Sequence, residues 1–284
     1  MKTLNLKKFR SPNPRSDPDT DDRNGIWVVR RADKKCEKLI LFVHGLGGDP
    51  VDTWGQFPEI AFNELRDFDV GFYGYSSPNL SNLIPLVRKP RLSAYAKQMR
   101  RAIWVSLIRE AGFQEIAYVC HSLGGVIVKA MVHQIEERDD NRDDLFTALH
   151  SVFFFGTPHF GSDRIRRFTP TFFSPLLSAL RLNSKELAPV RDFWQDRVSF
   201  DPLDKRARRM LIHARAIYSD KDFWVDADSA RARPELDDGK TYPFPVAHSR
   251  LVKPVSKDEG HILYFFDELR SIDEMRNNGD KFVP

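Results

Sequence analysis

Ser122 stands between two different kinds of sequence. Before it, Ile116-Ala117-Tyr118-Val119-Cys120 is an apolar run of strand type, and after it Leu123 to Ile135 carries helical spacing. A strand turning sharply into a helix at a serine is the context of the G-x-S-x-G elbow, which exposes the hydroxyl for nucleophilic attack. The turn needs small residues two before and two after the serine. Gly124 meets that need, and Cys120 stands where glycine is usual. Ser122 also sits at the start of a helix, where free amides and the positive end of the dipole favour developing negative charge. A serine there can equally serve only as an N-cap. Cys120 is a poorer nucleophile candidate, because the end of a buried strand points it into the core.

Attack on an acyl carbon needs two backbone N–H groups aimed at the tetrahedral oxyanion. Leu123, directly after the candidate nucleophile, supplies one. Leu46, in the turn Val43-His44-Gly45-Leu46-Gly47-Gly48 after an upstream strand, supplies the other. The turn lacks G-x-G-x-x-G spacing and no Lys-Ser or Lys-Thr follows it, which argues against a phosphate loop. His44, Gly45 and His121 are candidate walls of the substrate pocket, and His44 has the alternative role of bracing the turn.

A serine hydroxyl becomes a good nucleophile only when a base takes its proton and a third group holds that base. The chain has eight histidines. His44, His121 and His159 lie in glycine-containing motifs, His133 in the helix after Ser122, and His150 and His213 at strand positions. His248, in an irregular loop after Pro243-Phe244-Pro245, and His261, which opens an amphipathic run, are left as bases. For the acid, Asp220, Asp222, Asp226 and Asp228 follow the strand pattern that ends at Tyr218.

With these motifs the chain resembles the α/β-hydrolases. More narrowly it resembles a lipase-like group that includes serine-active-site-containing proteins and GPI inositol-deacylase-like enzymes. The stretches that carry the resemblance are Phe42 to Gly48 with Thr53-Trp54, Gly74-Tyr75, His121 to Gly125 with Val128-Lys129, Phe154 to Ser162, and His248 with Val252-Lys253-Pro254. It runs from about Leu39 to Leu269. The resemblance implies a chain order of serine, then Asp or Glu, then histidine, and it selects His248 over His261. It also implies an acid in a Gly-x-x-Asp-x-x-Val register. Asp222 and Val225 fit that register, with Ser219 replacing the glycine and Asp220 as the alternative.

These residues need a frame. Leu39 to Val43, Val70 to Tyr75, Ile116 to Cys120, Val152 to Phe155 and Leu211 to Tyr218 read as strands, and Ile26 to Val29 as an edge strand. Helical spacing covers Leu92 to Arg109, Leu123 to Ile135 and Ile262 to Ile272. Alternation of this kind predicts an α/β fold with a mostly parallel sheet covered by helices on both faces. Residues 1–24 read as an irregular arm and residues 25–284 as one domain. Residues 162–209 read as a helical cap insertion without strands, and Ala227 to Pro245 as loop. Phe172 and Phe173, in an apolar stretch broken by Pro170 and Pro175, are candidate walls of an acyl pocket under a lid. Arg164, Arg166, Arg167, Arg206, Arg208 and Arg209 read as a solvated basic face.

The net charge of +4 is spread along the chain, which argues against a nucleic-acid partner. Two cysteines cannot build a disulfide framework. No run is long enough to span a membrane and no apolar leader follows Met1, so a cytoplasmic protein is expected. No His/Cys cluster has metal-ligand spacing, and neither a metal nor a cofactor is expected. The expected function is hydrolysis of a carboxylic ester, on an acyl lipid or a small acyl ester, with peripheral membrane contact through the cap. The alternatives are acyl transfer by the same residues and an inactive binding or signalling scaffold.

Overall fold

The computed structural model describes residues 6–9, 24–77, 90–138, 141–162, 164, 175–181, 184–199, 210–231 and 241–278. Its frame is an eight-stranded sheet. The strands in chain order are β1 (Leu6–Phe9), β2 (Gly25–Val29), β3 (Lys38–Val43), β4 (Phe68–Gly74), β5 (Glu115–His121) and β6 (Leu149–Phe155). The short pair β7 (Val198–Ser199) and β8 (Met210–Leu211) stands apart, followed by β9 (Ala214–Tyr218) and β10 (Thr241–Pro243). The spatial order of the large sheet is β1-β2-β4-β3-β5-β6-β9-β10, and only β2 runs against its neighbours.

The apolar runs form central strands because both faces of the sheet are covered. Side chains alternate across the sheet, so β3 feeds two cores. Leu39, Leu41 and Val43 pack with α2 (Leu92–Ala102) and α3 (Leu123–Arg138), whereas Ile40 and Phe42 pack with Trp54, with Phe57 of α1 (Phe57–Glu64) and with Phe265 and Leu269 of the C-terminal helix. The chain leaves β3 for β4 on one side and returns through α2 to β5 on the other. That reversal opens a crevice at the C-terminal ends of β3 and β5, where α/β sheets place their ligands. Among the described residues no helix is long and apolar enough to cross a membrane.

Four expectations are corrected. Ile26 to Val29 is not at the edge, because the arm supplies β1, which pairs with the otherwise open backbone groups of β2. The helix from Leu92 changes at Ile103 to π-helical winding through Glu110. Leu211 to Tyr218 is two strands, of which only β9 joins the large sheet. The supposed loop from Ala227 to Pro245 holds a short helix (Ala227–Ala230) and β10, parallel to β9. Pro243 is tolerated in β10 because an edge strand needs no ladder bond from that nitrogen.

After α4 (Arg142–Thr147), the inserted segment contains α5 (Pro175–Ala179), α6 (Ala188–Asp196) and strand β7, which the sequence did not foreshadow. Its described part is fastened to the core. Leu176, Leu180, Leu187 and Trp194 are buried with α3, and the Trp194 indole N–H donates to the Lys129 carbonyl at 3.0 Å. Phe172 and Phe173 lie outside the described residues.

The core also buries histidines in neutral form. Burial is the first cause that holds His121, His150, His159 and His261 below the ordinary imidazole range. An unfolded chain protonates these side chains near pH 6.5, whereas the folded chain resists, so the unfolded state binds more protons in acid. Stability is therefore expected to fall as pH drops below about 6.5. Urea unfolding at pH 7.5 and 5.5 checks this, with a lower midpoint expected at 5.5 and an equal or higher one contradicting it.

Candidate active site

β5 ends at His121, and α3 begins at Leu123. Ser122 between them has φ 51°, and it is the one non-glycine residue with positive φ among the described residues. The left-handed region is unfavourable for serine, so its neighbours must impose it. The Ser122 amide donates to the Phe155 carbonyl at 2.9 Å, at the end of β6. Two glycines let α3 come down onto the strand ends. A Cβ on Gly124 would stand 2.3 Å from the Val43 carbonyl oxygen, and one on Gly125 would stand 2.1 Å from Thr157 Oγ1. Cys120 is fully buried opposite Val43, and burial pushes its thiol well above the ordinary range, as its core assignment requires.

The turn after β3 packs directly on this elbow. A Cβ on Gly45 would be 3.0 Å from Ser122 Cβ. The Gly48 amide donates to the Gly45 carbonyl at 3.2 Å and the Gly47 amide to Ser77 Oγ at 2.8 Å, which fixes the turn around Leu46. Leu123 opens α3, and first-turn amides have no intrahelical acceptor. His44 is outside the lining of the cleft beside this turn. It is buried, its Nδ1 bonds the Gly45 carbonyl at 2.9 Å, its ring stacks on Tyr75 at 4.3 Å, and the Tyr75 hydroxyl donates to its carbonyl. Bracing the turn, the other role open to it, is what the contacts support. Gly45, Leu46, Gly48, His121, Val252 and Lys253 line a cleft of about 290 Å³ beside the turn.

β9 and β10 deliver the titratable pair. The Asp222 side chain is 1% exposed, and its Oδ2 lies 2.5 Å from His248 Nδ1. The other carboxylate oxygen accepts the amides of Trp224 at 2.7 Å and Val225 at 3.0 Å. Each carboxylate oxygen therefore has a partner without a cation. Asp220 is exposed, as is Asp228, and Asp226 pairs with Arg164. Ser219, where the register has glycine, donates its hydroxyl to the Val246 carbonyl and so ties the acid loop to the histidine loop.

His248 opens a 3-10 turn (His248–Val252) after β10. Its ring centroid lies 4.6 Å from that of His121, the residue preceding Ser122. A Cβ on Gly156 would be 3.0 Å from His248 Nδ1, and Gly156 follows the Phe155 carbonyl that holds the Ser122 amide. Ser122 and His248 thus flank the same strand end. His261 is elsewhere, buried in the first turn of the C-terminal helix (Gly260–Asn277), with Glu259 at 3.9 Å as its carboxylate neighbour. Sequence reasoning left Gly156 without a role, although its place before Thr157-Pro158 at a strand end marks a special turn. It also left Arg164 in a solvated basic face, whereas its guanidinium bonds the acid loop.

The sequence profile of the family described as "Putative serine esterase (DUF676)" matches residues 97–184, which include the elbow. The chain is 24% identical over 265 residues to Protein SERAC1 of Mus musculus, covering 83% of this chain and 39% of that protein, so it spans well under half of that relative. Among solved structures it is similar to esterase B of Lactobacillus rhamnosis, at TM-score 0.63 and 11% identity, covering 97% of this chain and 88% of that one. It is also similar to phospholipase PlaB of Legionella pneumophila, at TM-score 0.60 and 13% identity over 84% of this chain and 62% of that one. A third similar structure is Est2 of Thermogutta terrifontis, at TM-score 0.55 and 17% identity over 99% and 96%. Elbow, sheet order and these likenesses agree: the chain has the α/β-hydrolase fold, and its residues 97–184 resemble a family described as putative serine esterases.

Proposed function

We propose that the chain is a carboxylic ester hydrolase acting through an acyl-enzyme. Ser122 is the nucleophile, His248 the base and then the acid, and Asp222 holds His248. The amides of Leu46 and Leu123 receive the oxyanion. The observation that carries the reading is the hydrogen bond from half-buried His248 to the buried Asp222 carboxylate, packed against the residue before the elbow serine.

The chemistry follows from that bond. With the Nδ1 proton donated to Asp222, the Nε2 lone pair is available for the Ser122 hydroxyl proton. Ser122 Oγ attacks the ester carbonyl carbon as His248 takes its proton, and the carbonyl oxygen becomes an oxyanion facing the two amides. The tetrahedral species collapses, and His248 returns the proton to the departing alkoxide. Water then attacks the acyl-serine with His248 again as base, releasing the carboxylic acid and restoring Ser122. The Asp222 carboxylate offsets the charge of the imidazolium formed in each half.

The hydrolase reading is tested with kcat/KM for p-nitrophenyl acetate, butyrate, octanoate and laurate. Turnover of at least one ester that is lost in Ser122→Ala is expected, and no turnover across the series contradicts the reading.

Variants test the machinery. Ser122→Ala is expected to abolish turnover of p-nitrophenyl butyrate. Asp222→Asn is expected to lower kcat by about 10²–10⁴ because the useful tautomer is lost. Asp220→Asn should change kcat less than threefold, since that side chain is exposed. Steady-state kinetics beside a thermal melt check all three, and the reverse ranking of the two aspartates overturns the acid assignment.

A further inference from the structure

Arg164 lies where the inserted segment leaves the sheet, and its side chain bonds the loop after β9. Its Nη1 donates to the carbonyls of Asp222 at 2.8 Å and Phe223 at 2.9 Å, and its Nη2 meets the Asp226 carboxylate at 2.9 Å. The guanidinium carbon also stands 5.9 Å from the Phe223 ring centroid. One side chain therefore grips the acid loop at three points, Asp222, Phe223 and Asp226. A planar fork of five N–H donors can do this, and a lysine ammonium cannot reproduce the geometry.

The grip belongs to a wider clasp between the segment after β6 and the acid loop. Ser162 Oγ donates to the Trp224 carbonyl at 2.7 Å. The His159 amide donates to the Ser229 carbonyl at 2.7 Å, the Phe160 amide to Ser229 Oγ at 3.2 Å, and Ser229 Oγ in turn to the Gly161 carbonyl. Within the acid loop, the Asp222 carboxylate is held by the amides of Trp224 and Val225 and by His248. Its own backbone carbonyl is held by Arg164. Releasing that carbonyl frees the Asp222 backbone to rotate, and the carboxylate moves with it.

From this geometry, and resting on the Ser122–His248–Asp222 reading, we infer that Arg164 is a positioning residue that sets the Asp222 carboxylate against His248 and ties the base of the inserted segment to the catalytic acid. A displacement of about 1 Å in a catalytic group can cost about 10²-fold in rate. Arg164→Ala is accordingly expected to lower kcat on p-nitrophenyl butyrate by about 10- to 100-fold, with KM changed less than about threefold. Arg164→Lys keeps the charge and loses the fork, so it should recover only part of the loss. Asp226→Asn, which removes the ion pair and leaves both carbonyl bonds, should stay near the unaltered kcat.

The decisive measurement is a double-mutant cycle with Asp222→Asn in the full-length chain, with thermal melts beside the kinetics. A residue that acts only through the Asp222 carboxylate has nothing to position once that carboxylate is gone. The double variant Arg164→Ala with Asp222→Asn should therefore be no more than about threefold slower than Asp222→Asn alone. Full multiplication of the two losses overturns the inference, because Arg164 then supports activity by another route. If Arg164→Ala does not fold, the same cycle with Arg164→Lys applies the same criterion. Full activity of Arg164→Ala beside a crippled Asp222→Asn overturns this inference alone. Full activity of Asp222→Asn overturns the assignment of the acid and this inference with it.

Discussion

A serine held at φ 51° costs of order 1–3 kcal/mol and persists only where its surroundings leave it no alternative. At Ser122 the surroundings are three strand ends and a helix start. The Phe155 carbonyl takes its amide, and Gly124 lets α3 lie on the β3 carbonyls. Gly125 leaves room for Thr157, and Gly45 brings the following turn onto Ser122 itself. Each contact needs a strand in its place, so the close approach at the elbow depends on the order and register of the whole central sheet. The same turn puts Leu123 at the start of α3, where its amide has no acceptor within the helix.

The second half of the site is assembled by different means. Asp222 and His248 come from loops after β9 and β10, at the far end of the sheet order from β1. Loops need partners to be precise, and here they are tied to each other through Ser219 and Val246, and to the inserted segment through Ser162, Arg164 and Ser229. The buried Asp222 carboxylate is met by two amides and an imidazole in place of water. His248 reaches the elbow because Gly156 leaves space for its ring and His121 lies beneath it.

Much of this was legible in the residues. Leu39 to Val43 and Val152 to Phe155 are continuous apolar runs because strands buried on both faces have no polar side. The elbow and the glycine turn were legible because steric demands leave few residue choices at those points. Asp222 was singled out only by its spacing to Val225, since nothing in composition separates a carboxylate bonded to a histidine from the exposed Asp220 two residues earlier. β1 and β10 were hidden for a physical reason: edge strands this short are stabilised by pairing with a neighbour, which a local pattern does not record. The position of His44 was hidden likewise, because stacking on Tyr75 is a tertiary contact between residues in separate loops. Arg164 was misread because a clasp and a solvated face have the same composition; only the carbonyls it meets distinguish them.

The central claim is that the strained turn presents one activated serine. A fluorophosphonate reacts with an activated serine hydroxyl and leaves a stable adduct, and peptide mass mapping shows where. The account predicts a single stoichiometric adduct on Ser122 of the folded chain, formed far more slowly in His248→Ala. An adduct on another serine, or no adduct on folded protein, would contradict it.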